Sequence, residues 1–501
     1  MGCTCFTDDV EKKNETNFFR EVNNDNTLQK IENEDSIINR NSLEDKIKKK
    51  DIHEKENLIK EKLKKDNLKN ENLKKEISIK ESDKKEKLKT GIKKKKKKSE
   101  ILSFDKELCK KIANSLPKRT ATTFQSLKDL MKSKTEKLSQ KEKSFIIFLW
   151  ICDNIAYDSY SYYAGSSVDC SPEGVFKNGK TVCSGYAHLY KNFADYLDLE
   201  VLCVTCYAKG VSYEPGQKMN ESNHEYNVIK LNNQWYPIDS TWGAGHLKDK
   251  KFVKSYNEFY FLANPELLIT THFPVEDKWQ LTKRKYTLEE FLKWPRVDSD
   301  FYRLGFEKYT PNEGLIELKN RNQQKFIIYG KDMDKKSALC NIYLLEGNIY
   351  QQQLNLTSIN FYDDRFEVDG IFNQKGKYKV QIFANNDKGE NHDMILEYNI
   401  NVEKNSKEKL AFPMTYGGSE EVNIIEPLYD NLKSGEKVKF KIKSKLDEII
   451  IIDGQWHHLK KNESGFFELE TKIKTKKGNN LIIGKKKGTN SCGYLVSYNV
   501  I

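Results

Sequence analysis

NHEYNVIKLNNQWYPIDSTWGAG, residues 223–245, decides the fold of the region around it. Two strand-like runs, NVIKL and QWYPID, flank Asn232-Asn233, a pair suited to a two-residue hairpin turn. The turn sets the register. Pro237 falls opposite Val228, at a non-hydrogen-bonded pair where its missing N–H costs the ladder nothing. Asp239 falls opposite Tyr226. His224, two residues before Tyr226, then shares a face with Asp239 and lies diagonal to it. Diagonal neighbours are about 7–8 Å apart at the backbone, within reach of an imidazole and a carboxylate. Glu225 points to the other face by strand alternation. A chance polar pair on a surface hairpin would look the same unless a third group joins it.

The third group stands upstream in TVCSGYAHLY, residues 181–190. Tyr186, Leu189, Tyr190, Phe193 and Leu197 recur at helical spacing, so an amphipathic helix begins near Cys183. A thiol at a helix N-terminus feels the positive end of the dipole, which favours thiolate. Gly185 keeps the first turn uncrowded for a substrate backbone. Cys183, His224 and Asp239 supply the residue types of a thiol nucleophile, its base and an orienting carboxylate. The bland alternative for Cys183 is a small buried side chain at a helix start. The oxyanion hole would use the Cys183 N–H and a second donor, for which Trp150, Trp242 and Tyr186 are candidates.

With those residues in place, the chain resembles the transglutaminase-like superfamily, and within it the kyphoscoliosis peptidase (hillarin-type) family. The likeness runs from about residue 105 to 295. It begins at KSFIIFLWICDNIAYD (143–158) and continues through VCSGYA and the His224 and DSTWGAG blocks. It ends in FYFLANPELLITTHFPVEDKWQL (259–281), a stretch expected to hold no catalytic residue. The resemblance implies a papain-like α+β core with Cys183, His224 and Asp239 as nucleophile, base and orienter. It also leans toward a cysteine peptidase acting on cytoskeleton-associated proteins, with a transglutaminase-type acyl transferase, in which a lysine amine captures the acyl-enzyme, left open by the sequence. One departure is the Glu225-Tyr226-Asn227 that follows the histidine, where many superfamily members carry a tryptophan.

At 501 residues the chain exceeds a single core. After Lys293-Trp294-Pro295 the pattern turns to short alternating runs, among them KFIIYG (325–330), RFEVDGIF (365–372) and GKYKVQIFANN (376–386). A second set starts near Phe412 and includes EKVKFKIKS (436–444) and EIIIIDG (448–454). Each set has the size of an immunoglobulin-like sandwich. The expected layout is a charged disordered tail over 1–98, the transglutaminase-like domain over 99–295, and β-sandwich modules over 296–410 and 411–501.

The charge is 32% of residues and the net charge +12. Residues 1–40 carry 5 basic and 9 acidic groups, net −4, and residues 41–100 carry 23 and 13, net +10. The low hydrophobicity of this tail argues against a packed core there. Leu58, Leu63, Leu68 and Leu73 are spaced by five, which forms no single helical seam. MGCTCF places Gly2 beside Cys3 and Cys5, as in dual acylation, although Phe6 departs from the myristoylation pattern. Two lipid chains, or one with the Lys93–Lys98 run, would bind an anionic membrane surface. No aromatic interleaving supports nucleic-acid binding. No apolar run reaches a membrane span, and no secretory h-region is visible, so a cytoplasmic protein with reduced cysteines is expected. Cys203 and Cys206, three apart on one strand, face opposite ways and make no joint metal or redox site. No metal or cofactor is expected. The expected partners are protein substrates or cytoskeletal proteins. Two functional classes remain: a thiol enzyme, or a non-catalytic cytoskeletal or cytokinesis scaffold on the same fold.

Overall fold

The computed structural model describes residues 104–386, 391–416, 422–487 and 491–501. The expected tail over 1–98, with the lipidation residues Gly2, Cys3 and Cys5 and the lysine run, lies outside the described residues.

Residues 104 to about 295 form an α+β domain. Its buried centre is the helix Gln140–Asn154, opened by a capping box in which Ser139 and Glu142 satisfy each other's backbone N–H groups. Phe145, Ile146, Ile147, Phe148, Trp150, Ile151 and Cys152 of this helix are all buried. A helix apolar on every side belongs inside a domain. Against it packs the helix Cys183–Tyr196, with the Tyr190 hydroxyl donating to the Ser144 carbonyl at 3.0 Å.

The sheet of this domain has four antiparallel strands: β1 (Val201–Ala208), β2 (His224–Leu231), β3 (Gln234–Ile238) and β4 (His272–Pro274). Their order is β3-β2-β1-β4. The β2–β3 hairpin turns on Asn232 and Asn233, both with positive φ, at 51° and 60°. Two consecutive positive φ values are what a twist-matched two-residue turn requires. Its ladder pairs Val228 with Pro237 and Asn227 with Ile238, the register expected from the turn. The ladder stops there. Asp239 leaves the sheet and caps the short helix Ser240–Ala244, so it does not pair with Tyr226 as the extended register implied. Its backbone N–H goes instead to the Tyr260 carbonyl.

Two β-sandwiches follow, as the alternating runs implied. The first joins a sheet containing Gln323–Gly330 and Arg365–Ile371 to one containing Ser337–Glu346, Gly376–Asn385 and Asp393–Val402. Phe326, Phe366, Ile342, Val380 and Ile400 meet in its core. The second pairs Val422–Glu426, Lys437–Ser444 and Phe466–Lys472 with a sheet around Glu448–Ile452, Asn480–Lys487 and Ser491–Asn499. Its core is separate and includes Phe440, Ile451 and Tyr498. Among the described residues, no helix is long and apolar enough to cross a membrane.

Candidate active site

Cys183 is the first residue of its helix, and Val182 before it supplies no side-chain cap. The orphan N–H groups of the first turn therefore surround the thiol. Gly185 is buried, and a Cβ there would lie 1.9 Å from Thr181 Oγ1. The glycine thus lets the helix seat against Thr181; it does not clear a path for substrate.

The helix lies over the sheet face that carries Glu225 and Asn227. Asn227 Nδ2 donates to the Ala187 carbonyl at 3.1 Å, and Glu225 meets His188 at 3.6 Å. Glu225 therefore points away from His224, as strand alternation requires. The thiol of Cys183 hydrogen-bonds His224 and also receives the Glu225 backbone N–H.

His224 Nε2 is 2.7 Å from Asp239 Oδ2. With Nε2 engaged by the carboxylate, Nδ1 is the ring nitrogen left for the thiol. Asp239 Oδ1 accepts the backbone N–H groups of Thr241 at 2.8 Å and Trp242 at 3.0 Å. The helix cap thus fixes one oxygen and the other faces the histidine.

The charges follow from these contacts. Burial raises the Cys183 thiol, but the hydrogen bond and charge of His224, with the Glu225 N–H, together leave it below its ordinary value. Burial lowers His224, yet Asp239 and Cys183 push it up to about 10. Burial raises the Asp239 carboxyl, and His224 and His272 outweigh that and hold it well below the usual carboxylate range. The arrangement favours a thiolate–imidazolium pair backed by a carboxylate.

His272 is the residue that sequence reasoning missed. It sits in the 259–281 stretch, which was expected to hold no catalytic residue. Its Nε2 is 3.0 Å from the same Asp239 Oδ2, and it is 1% exposed. The register accounts for this. Cys206 of β1 pairs with His224 on one side and Pro274 on the other, so His272, two residues before Pro274, shares the His224 face. The signal available in sequence was an isolated histidine inside the strand-like THFP.

Two of the expected oxyanion donors are spent elsewhere. Trp150 Nε1 donates to the Pro117 carbonyl at 3.1 Å, and the Tyr186 hydroxyl donates to the Ile155 carbonyl at 2.8 Å. Trp242 remains beside the site, 5.7 Å from His224 between ring centres. His224, Trp242 and Tyr157 line a cleft of about 1010 Å³. Its far wall includes Asp300, Arg303 and Asp393 of the first sandwich.

Among the described residues, two groups have metal-ligand atoms within 4.8 Å of one another: His188–Cys203–Glu225 and His224–Asp239–His272. The second is closed by direct hydrogen bonds between its own members, as a proton network is. The first is half-exposed and lies on the helix side of the sheet. Cys206 is buried away from Cys203, so these two do not converge.

Residues 125–240 match the model of the transglutaminase-like superfamily, and residues 288–413 match that of the KY-like, immunoglobulin-like domain. The chain is 31% identical over 265 residues to kyphoscoliosis peptidase of Mus musculus, covering 52% of this chain and 38% of that protein. It is 24% identical over 268 residues to hillarin of Drosophila melanogaster, covering 49% and 32%. It is 24% identical over 173 residues to cytokinesis protein 3 of Schizosaccharomyces pombe, covering 34% and 19%. The chain thus spans less than two-fifths of the length of these relatives. Cys183, His224 and Asp239 all fall inside the superfamily match, and His272 falls outside it.

Proposed function

We propose that this chain, whose residues 125–240 belong to the transglutaminase-like superfamily and precede a KY-like immunoglobulin-like domain, is a thiol enzyme of the cysteine peptidase type. The observation that carries the reading is the buried contact of His224 with Asp239 at 2.7 Å, joined to a hydrogen-bonded Cys183 at a helix N-terminus. The Cys183 thiolate attacks a carbonyl carbon of a protein substrate, and the carbonyl π pair moves to oxygen. The Cys183 N–H and a side-chain donor in the cleft, Trp242 or Tyr157, receive that oxyanion. His224 then gives its proton to the leaving amine as the C–N bond breaks. Water, deprotonated by His224, hydrolyses the thioester and regenerates the thiol. Asp239 keeps the imidazole oriented throughout. Capture of the same thioester by a lysine amine instead of water would make the product an isopeptide.

Cytoskeletal proteins are the substrates or partners we infer, supported by the likeness to a cytokinesis protein. The same likeness supports a second reading, a scaffold that uses the fold for binding alone. Peripheral membrane attachment through Gly2, Cys3 and Cys5 belongs to the proposal too. Fractionation of Gly2→Ala and Cys3→Ser/Cys5→Ser forms tests it, and an unchanged distribution counts against it.

The enzyme reading is tested with a peptidyl thiol-reactive electrophile on the full chain. Labelling at Cys183, abolished in Cys183→Ser and strongly slowed in His224→Gln, supports it. Labelling of Cys183 no faster than of Cys492 leaves the scaffold reading standing.

A further inference from the structure

We propose that His272 is a positioning residue of the Cys183–His224–Asp239 system: its Nε2–H holds Asp239 Oδ2 in the orientation that receives His224, and Thr271 supports that tautomer through Nδ1. The proposal deepens the thiol-enzyme reading and rests on it for any consequence in activity. The hydrogen-bond geometry stands without that reading.

The argument begins with the number of donors on one carboxylate. Asp239 Oδ1 is held by two backbone N–H groups of the helix it caps. Oδ2 receives two imidazoles, His224 at 2.7 Å and His272 at 3.0 Å. In the proposed reaction His224 changes its protonation, so its hold on Oδ2 varies through the cycle. His272 takes no part in that exchange, because its two ring nitrogens are held by Asp239 and Thr271 and not by the thiol. It is the constant donor. The side chain of His272 is 0% exposed and that of Asp239 1%, so solvent does not stand in for it.

The tautomer is set by a proton count. Thr271 Oγ1 lies 2.8 Å from His272 Nδ1 and 3.1 Å from the Leu268 carbonyl. That carbonyl already accepts the Thr271 backbone N–H at 3.0 Å. Asp239 is ionised and can only accept, so the Nε2 facing it carries the ring proton; in a neutral ring Nδ1 then accepts, and the Thr271 hydroxyl proton goes there rather than to the Leu268 carbonyl. Burial, the largest influence, together with the charge of His224, holds His272 below its ordinary value despite Asp239. A neutral His272 donates a hydrogen bond without adding a positive charge that would compete with His224.

Among the described residues, Asp239 and His224 are the charges that act on His272. The Trp242 ring lies 4.4 Å away between centres, His224 5.2 Å, Tyr226 5.7 Å and Tyr260 6.2 Å. Cys206 pairs with Pro274 from β1. Burial raises the Tyr226, Tyr260 and Cys206 groups well above their ordinary values, so they stay neutral.

The experiment uses the full chain with His272→Gln, His272→Phe or Thr271→Val. The titration of the His224 ring is read by nitrogen-15 NMR in a Cys183→Ser background, with His224→Gln as the assignment control. Cys183 carboxamidomethylation against pH is read with Cys183 intact. Glutamine can offer an N–H to the same oxygen and should leave the His224 midpoint nearly unchanged. Phenylalanine cannot, and should lower that midpoint by about one unit, which is about tenfold in the equilibrium, and slow labelling near pH 7 by a similar factor. Thr271→Val should move both in the same direction by less. If the phenylalanine variant is folded by circular dichroism and leaves the midpoint unchanged, the role is overturned. A glutamine shift as large as the phenylalanine one also overturns it, and reduces His272 to packing. If the phenylalanine variant does not fold, an unchanged midpoint in Thr271→Val overturns it. An ordinary thiol titration at Cys183 in the unsubstituted chain would count against the enzyme reading alone, and the NMR result would still decide His272.

Discussion

Burial lifts the thiols of Cys109 to about 11 and Cys203 to about 12, and it raises Cys152 and Cys206 further. Cys183 goes the other way because an imidazole and a backbone N–H outweigh its burial together. Iodoacetamide near pH 7 should therefore label Cys183 at least about tenfold faster than Cys203, read by peptide mass spectrometry; equal rates would refute the thiolate. Asp239→Asn keeps a side chain able to cap Ser240–Ala244, so the fold should survive. An amide can hold the wrong imidazole tautomer, and turnover or labelling should fall by as much as about 10⁴. Wild-type rates in that variant would remove Asp239 from the role. The stability linkage at His224 has a definite sign. Its folded value is raised to about 10, so its stabilisation is complete below the unfolded value of about 6.5 and is lost as pH rises through about 10. The gap in melting temperature between wild type and His224→Gln should thus narrow from pH 6 to pH 10. A gap that stays constant would show that His224 carries no shifted charge.

The hairpin was legible in the sequence because a two-residue turn leaves little freedom in register. Asn232 and Asn233 both adopt positive φ, and that conformation costs an ordinary residue about 1–2 kcal/mol. Replacing both by alanine should destabilise the chain by about 2–4 kcal/mol in urea unfolding; a loss under 1 kcal/mol would mean that the turn relaxes freely. What was not legible depends on tertiary placement. Asp239 was expected to continue the ladder, but the Tyr260 carbonyl takes its N–H and the residue becomes a cap. His272 lies 33 residues beyond Asp239, on a three-residue strand that local periodicity does not announce. Gly185 was read as room for substrate because a sequence does not reveal that Thr181 fills the space. Another such element is Lys209, 1% exposed, whose Nζ donates to the carbonyls of Phe291 at 2.6 Å and Trp294 at 2.9 Å. These carbonyls close the helix Leu288–Lys293. Lys209→Met should cost about 1–3 kcal/mol through the lost caps, measured by urea unfolding. A neutral or stabilising outcome would show that packing alone holds that helix.

At the scale of the molecule, the first sandwich is seated on the α+β domain through specific side chains. Tyr302 stacks on Phe259 at 5.8 Å and its hydroxyl donates to Thr270 Oγ1 at 3.2 Å. Asn399 Nδ2 donates to the Pro215 carbonyl at 3.0 Å, and Lys379 pairs with Glu214 at 3.0 Å. Gly216, with φ of 87°, brings its backbone so close to Leu315 that a Cβ would clash at 2.7 Å. The two domains should therefore melt together in scanning calorimetry of the full chain. Tyr302→Ala should weaken that shared transition by about 2 kcal/mol. Separate transitions in the unsubstituted chain would contradict a coupled pair. The alternating runs revealed that a sandwich follows the α+β domain. They were silent on its forming one wall of the cleft beside His224, since that depends on how two surfaces meet.

Lys336 repeats the device of Lys209 inside the first sandwich: it is 4% exposed and its Nζ donates to the Leu304 carbonyl at 2.6 Å, at the end of the helix Ser299–Arg303. In a chain with 86 lysines and arginines, these two amines are sequestered while the surface ones meet solvent. A brief exposure to an acylating reagent would mark the outer lysines and spare both. Modification at Lys209 would then act as a built-in clock for local opening of the α+β domain, and modification at Lys336 for that of the first sandwich, readable in a cell extract without purification or any assay of catalysis.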